Sequence, residues 1–387
     1  MPHDFVMESG LYALDLIGLH PFRKSGFGYV RAFVFSSTFL VMYILNVAGV
    51  IVRYEGIKSL ADSVDAIPAG QQVLVKVFAV ILIHDRFQKL FAKMDQMWPN
   101  NIYGSELELK IQTYQASFKR TFIAYRATIW ITTITYISKP LLTLSRSFAT
   151  AWYIPCDYHE NFCYVSIIVA QSLYIAILAF AVVVFDFIFF SFLFNIYCEL
   201  EKIKFGFNNL RVLEDSNQDD PNILTEFFKL VKHHNFLLRC IKDLNNVYSL
   251  QVLNHVSTIS ATIVFGIFFM NMDGFPPSGD KLYRYIPYLI SYNFQLYIYC
   301  VIGQEMSYQA ENVGKSLYES TWYLSNQPKL RKGMIMVIQI SQQQENKLSI
   351  GGIWDLNLRI FMSVIKTSVS VHAFMQTIYN ENLQGTK

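Results

Sequence analysis

IWDLNLRIFMSVIKTSVSVHAFMQTI, residues Ile353 to Ile378, is long and apolar enough to cross a bilayer as a helix, which takes about 20 residues. One of its faces does not suit lipid. At about 100° per residue, Arg359, Lys366, Ser370 and Thr377 fall within about 40° of one another and form a continuous polar stripe. A basic side chain at bilayer depth costs roughly 2.5 to 3.5 kcal/mol on insertion scales, so both basic residues face protein or water. Two arrangements meet that requirement. The helix packs in a bundle, with Asp355 pairing with Arg359 one turn away, or it lines a water-filled pore.

The rest of the chain fits a membrane setting. Of 387 residues, 53% are hydrophobic and 16% charged, well below the roughly 25% charged residues of soluble domains. Aromatic residues make up 16%, which suits interfacial belts and apolar cavities. A net charge of +3, without a dense Lys/Arg tract, argues against a nucleic-acid partner.

Seven stretches pass the same length test: Ala32–Val52, Leu60–Ile83, Phe122–Leu142, Val165–Phe194, Val252–Met272, Ile286–Ile302 and Ile353–Ile378. The predicted fold is all-α, a single seven-helix membrane domain over residues 1–387. Asp62, Asp65, Gln71, Gln72 and Lys76 interrupt the second span, which therefore lines a cavity on one side. The early apolar run Leu11–Leu19 is short, contains Asp15 and lacks a basic leader, so it reads as an interfacial helix and not as a cleavable signal.

Lys and Arg in the connecting segments set the expected orientation. Alternate connections carry 21 on one side, counting from the N-terminal segment, and seven on the other. The positive-inside rule then predicts a cytoplasmic N-terminus and an extracellular C-terminus.

The basic connections are long, and apolar residues recur at three and four in Leu107–Arg120 and Glu226–Leu250, so the spans extend beyond the membrane as amphipathic helices. Glu214–Asn222 interrupts that pattern as a loop. Lys329–Ile340 forms a short amphipathic helix with Leu330, Met334, Val337 and Ile338 near one face. The polar run Ser341–Lys347 and the pair Gly351-Gly352 separate it from the last span. Residues 303–347 are thus expected to be a cytoplasmic helical anchor, and residues 353–378 a candidate pore-lining helix.

Of five cysteines, only Cys156 and Cys163 share the long extracellular loop, and they form the candidate disulfide. No metal-ligand spacing is present, and His233-His234, adjacent on a charged helix, reads as a solvated face. No phosphate-binding glycine loop, nucleophile elbow or two-histidine metal helix occurs, so neither an enzyme nor a cofactor is expected.

The extracellular halves of the spans assemble a candidate cavity from Thr132 and Tyr136, from Gln171, Tyr174 and Leu178, and from Tyr288, Tyr292 and Gln295. The last two groups each share one helix face. Aromatic walls with a few hydroxyl and amide groups suit a small, mostly apolar ligand. Tyrosines near an interface also serve as belt residues.

On these residues the chain resembles the insect odorant receptor family. The resemblance is strongest at the end: Gly303, then Tyr318 and Trp322, then Leu348-Ser-Ile-Gly-Gly352, Leu358-Arg-Ile-Phe361 and Val364-Ile-Lys366-Thr-Ser-Val-Ser370. Leu16–Pro21 and Tyr153-Ile-Pro155-Cys-Asp157 before Gln171 add to it.

The resemblance implies a nonselective cation channel of four subunits around a central pore, opened by a volatile organic ligand in the plasma membrane of sensory neurons. It implies a partnership with the odorant receptor co-receptor. The family's pocket lies among spans two, three, four and six, which adds Gln72 and Val75 to the cavity. Phe374, Thr377 and Ile378 match the family's gate, leaving Arg359, Lys366 and Ser370 along a wider inner path. The chain lacks the co-receptor's enlarged second inner loop, so the resemblance points to a ligand-tuning subunit. It also lacks the Thr-Tyr and Gln-Phe pair that closes gustatory receptors, which remain the alternative within the same fold.

Overall fold

The apolar stretches form helices far longer than a bilayer requires. In the computed structural model the described residues are 5–22, 26–52, 54, 66–142, 146–154, 156–157, 159–210, 221–272, 274, 276–320, 328–343 and 347–385. The elements run α1 (Phe5–Leu16), α2 (Gly26–Val52), α3 (Ala66–Leu82), α4 (His84–Met94), α5 (Ser105–Leu142), α6 (Asn161–Asn208), α7 (Pro221–Asn271), α8 (Gly279–Glu319) and α9 (Pro328–Ser341). A small hairpin follows, β1 (Ser349–Ile350) and β2 (Trp354–Asp355), and then α10 (Leu358–Gly385). The seven helices α2, α3, α5, α6, α7, α8 and α10 correspond to the seven expected spans.

Length and apolar composition alone qualify α2, α6, α7 and α10 as spans, and the pair α3–α4 qualifies as one broken unit. Of the polar residues that weakened this span, Gln72 and Lys76 turn inward and are buried, Gln71 is exposed, and Asp62 and Asp65 lie outside the described residues. A helix whose polar residues face protein need not be apolar throughout. α6 is the central helix. It packs against α3, α5, α7 and α8, and Ala181 to Phe185 is buried on every side, as expected for a helix that is apolar all round.

Four of the helices run well past the apolar zone at one end, here called the stalk end. α5, α6, α7 and α8 are 38, 48, 51 and 41 residues long. The expected loop Glu214–Asn222 falls largely outside the described residues, and α7 already begins at Pro221. At Ile83 the chain bends by 83°, which swings α4 across the stalk end. Phe87, Leu90, Phe91 and Met94 recur at helical spacing along its buried face, and the Phe91 ring meets Phe192 of α6 at 4.6 Å.

α9 packs on α8 and buries Leu330, Met334 and Val337. The last span starts later than the sequence suggested, because Ile353 to Asp355 belong to the hairpin. Ser349 pairs with Asp355 and Ile350 with Trp354. Gly351 and Gly352 take φ of +62° and +74° at the turn, a region that glycine enters without a Cβ clash. The hairpin is fixed to α7: Asn245 donates to the Lys347 carbonyl at 2.7 Å and accepts from the Ser349 amide at 2.9 Å. Asp355 therefore sits outside the helix, 4.0 Å from the Lys347 ammonium, and not one helical turn before Arg359.

Candidate functional site

Opposite the stalk end, α3, α5, α6 and α8 enclose a cavity of about 90 Å³. Its walls include Gln72, Thr132, Tyr136, Tyr174, Leu178, Tyr288, Tyr292 and Gln295, eight of the ten residues the sequence nominated. Val75 does not line it. Gln171 is fully buried behind it, where its side chain accepts from the Ala149 amide at 3.1 Å and donates to the Thr150 carbonyl at 2.8 Å. Gln171 thus holds a wall in place without being part of the wall.

That wall is a segment the sequence did not single out. Ala149 to Trp152 is buried, although it lies in the connection between α5 and α6. Asn46 donates to the Ala151 carbonyl at 3.2 Å, and the Tyr153 amide donates to the Leu45 carbonyl at 2.9 Å. Gly49 lets α2 approach the backbone of Trp152, since a Cβ there would lie 2.4 Å from the Trp152 carbonyl carbon. Thr150 consequently reaches the cavity, joined by Thr133 and Ser291. No local pattern marks a loop residue as part of a helical cavity, because the fold alone brings it there.

Aromatic rings dominate one side. Tyr288 meets Tyr292 edge to face at 4.8 Å and lies 6.1 Å from Tyr136, whose ring carries the Arg284 guanidinium 5.6 Å above its centre. Thr132 and Ser291 bridge α5 and α8: their hydroxyls lie 2.7 Å apart, Ser291 donates to the Thr128 carbonyl and Thr132 to the Pro287 carbonyl. Pro287 lies within α8 and has no backbone N–H to donate.

Beneath the cavity lies a charged centre. Asp186 of α6 is fully buried and accepts four hydrogen bonds, from Lys76, Tyr125, Gln295 and Tyr299. The Gln295 and Tyr299 contacts are 2.7 and 2.6 Å long. Four bonds fill the acceptor capacity of a carboxylate. Gln295 belongs to both layers, since it also lines the cavity, and Gln72 stands one turn from Lys76 on α3.

A second buried cluster braces the stalk end. Glu199 pairs with Lys202 at 2.5 Å and with His233 at 2.7 Å, and the Trp98 ring stacks on His233 at 3.9 Å. His234 is 1% exposed, and burial, aided by its neighbour His233, pushes its pKa down to about 4. The sequence placed both histidines on a solvated face. Tertiary packing of α4 and α6 over α7 buries them instead.

Along α10 the two faces separate cleanly. Ser368 is buried, and Phe361, Val364, Ile365, Met375 and Tyr379 pack on the core. Arg359, Lys366, Ser370, Phe374, Thr377 and Ile378 are all exposed on the single chain. The stripe therefore does not pack into its own bundle. Cys156, in the segment before α6, and Cys163, in the first turn of α6, are joined by a disulfide, with Cα atoms 6.3 Å apart. Cys198, Cys240 and Cys300 are buried and not in a disulfide, and burial pushes the Cys240 thiol up to about 11.

Comparison with known proteins places this architecture. The 7tm Odorant receptor family matches residues 71–369. Odorant receptor 82a of Drosophila melanogaster is 23% identical over 206 residues, covering 53% of this chain and 50% of that protein. Odorant receptor 67c of the same species is 21% identical over 313 residues, covering 76% of this chain and 73% of that one. The alignment with 82a thus spans about half the length of that relative. Among solved structures, the olfactory receptor OR5 of Machilis hrabei superposes with a TM-score of 0.83 at 16% identity, over 95% of this chain and 96% of that one. Its complex with eugenol superposes equally well, at 17% identity.

Proposed function

The chain belongs to the insect 7tm odorant receptor family, and from that premise we propose that it is the ligand-tuning subunit of a heteromeric cation channel opened by a volatile organic molecule. It is a multi-pass membrane protein, which we place in the plasma membrane of sensory neurons beside co-receptor subunits. The single observation that carries the channel is the exposed polar stripe of α10. Two basic residues at bilayer depth cannot face lipid cheaply, and this chain's own helices do not cover them. Water and neighbouring subunits around a central axis satisfy them.

In this reading Phe374, Thr377 and Ile378 form the narrow gate, and Arg359, Lys366 and Ser370 line a wider vestibule. A mixed assembly dilutes the basic ring, so cations pass a stripe that would repel them if it were repeated in every subunit. The excess of Lys and Arg at the stalk end supports a cytoplasmic stalk and N-terminus, with the C-terminus outside.

The cavity among α3, α5, α6 and α8 is the ligand site in the same reading, supported by its aromatic walls and by the eugenol complex of the similar Machilis receptor. A ligand of about ten heavy atoms at roughly 0.6 kcal/mol each binds with about −6 kcal/mol, or tens of micromolar. That energy suffices only if closed and open states differ by a few kcal/mol and the ligand prefers the open one.

The test is to express the chain with and without the co-receptor and to record from excised patches free of soluble messengers. A fast odorant-evoked cation current that needs both subunits is expected. A response that requires a diffusible messenger overturns the channel in favour of a metabotropic receptor.

A further inference from the structure

The polar groups of the cavity are not equally engaged. Thr132 and Ser291 satisfy each other and the backbone of α5 and α8. Across the cavity, Gln72 Oε1, the Tyr174 hydroxyl and the Thr150 hydroxyl have no hydrogen-bond partner among the described residues, although their residues are only 1%, 2% and 2% exposed. Buried polar atoms without partners are rare and destabilising, and the three residues that carry these line one small cavity.

The chemistry of Gln72 is fixed by its neighbour. Thr258 of α7 has a single hydroxyl proton, which it directs at the Asn254 carbonyl at 2.9 Å or the His255 carbonyl at 3.0 Å. Its oxygen is left to accept, and the Gln72 amide nitrogen donates to it at 2.7 Å. The amide orientation follows from that bond, so the unpartnered end of Gln72 is the carbonyl oxygen, which can only accept. A ligand that brings a hydrogen-bond donor satisfies it, whereas an ether, ester or aldehyde leaves it bare.

Among the described residues the cavity walls hold no carboxylate, and Asp186 beneath them already accepts four bonds. A cationic amine would therefore find no free counter-charge on those walls. A neutral hydroxyl fits: it donates to Gln72 Oε1, and its oxygen accepts from Tyr174 or Thr150. We propose that the cavity selects volatile alcohols and phenols through Gln72, Tyr174 and Thr150. The proposal rests on the reading of this cavity as the ligand site.

Hexanol, octanol, benzyl alcohol and para-cresol, each paired with its O-methyl ether, form the test panel. Two readouts are taken on the full chain with the co-receptor: evoked current, and thermal stabilisation of the purified complex, which does not require gating. Each alcohol is expected to act at about tenfold lower concentration than its ether, because the ether leaves a buried acceptor unpaired. Gln72→Met keeps the side-chain length, removes the acceptor and should bring each pair to near equality by weakening the alcohol. Tyr174→Phe loses no bond within the folded protein and should weaken alcohols and ethers together.

Equal potency within every pair, or a preference that survives Gln72→Met, overturns the proposal. Currents without an alcohol preference sink it while leaving the channel intact. Stabilisation by alcohols over ethers with no current retains the alcohol site and removes the channel. If no panel member either stabilises the complex or opens it, the proposal fails.

Discussion

Lys76 of α3 and Asp186 of α6 meet in the interior of the bundle, 5% and 0% exposed, directly beneath the cavity among α3, α5, α6 and α8. Tyr125, Tyr299 and Gln295 complete the shell around the carboxylate. The pair therefore links the cavity floor to the helices that cross below it. Breaking a buried pair by removing one partner is far more harmful than removing both, because the survivor is a naked charge.

Lys76→Met should destabilise the folded chain by about 3 to 5 kcal/mol and deplete it from the cell surface. The double variant Lys76→Met with Asp186→Leu should recover part of that loss. Surface labelling together with thermal unfolding of purified protein measures both, and a double variant worse than the single one would show that the pair is not the coupled unit.

Removal of side chains from the exposed face of α10 should alter conduction, since none of them supports the bundle. Phe374→Ala or Ile378→Ala is expected to change basal current or relative ion permeability. Tyr292→Ala, in the cavity wall, should instead raise the half-effective ligand concentration by about tenfold and leave permeability alone, the effect of about 1.4 kcal/mol of lost contact. Unchanged permeation in every stripe variant would take α10 out of the conduction path.

Gly303→Ala should prevent stable folding, because a Cβ on α8 at that position would lie 2.4 Å from the backbone oxygen of Leu356. That oxygen belongs to the segment between β2 and α10, which has little room to retreat with Leu356 buried. Gly279→Ala, at the start of the same helix and with nothing within 4 Å, serves as the tolerated control. Surface expression of the two variants compares them directly.

Acidification should loosen the stalk end. His234 has its pKa lowered from 6.5 to about 4 in the folded chain, so the unfolded chain binds the extra proton between those values. The associated stability is complete above about pH 6.5 and is lost as pH falls toward 4. Thermal unfolding at pH 7 and pH 5 should differ by more in the native chain than in His234→Gln. An equal difference would assign the pH response to other groups.

Much of the architecture was legible because it depends on local periodicity and composition. Apolar length fixed the spans, and recurrence at three and four extended α5 and α7 beyond them. The sequence named eight of the seventeen residues that line the cavity, chiefly its tyrosines and glutamines. Gln171 and Thr150 were beyond that method. Gln171 shares a face with Tyr174 and Leu178, yet its amide is taken by the backbone at Ala149 and Thr150. Spacing places a residue on a face without revealing which partner claims it.

His233 and His234 show the same limit at the stalk end. A charged helix with adjacent histidines is amphipathic by pattern, and α4, folded back by 83° at Ile83, helps to cover it. No sequence window contains that bend together with the helix it covers.

The sequence by itself determined that the chain is a helical membrane protein with a polar stripe on its last span, because burial of apolar length and the penalty for charge in lipid act on each segment separately. It left open what the stripe faces. The tertiary structure decided what it does not face, by spending the opposite side of α10, through Ser368, Ile365 and Met375, on the core and leaving Arg359, Lys366, Ser370 and Thr377 uncovered by this chain. A helix has one circumference, and which arc meets its neighbours is a property of the whole bundle.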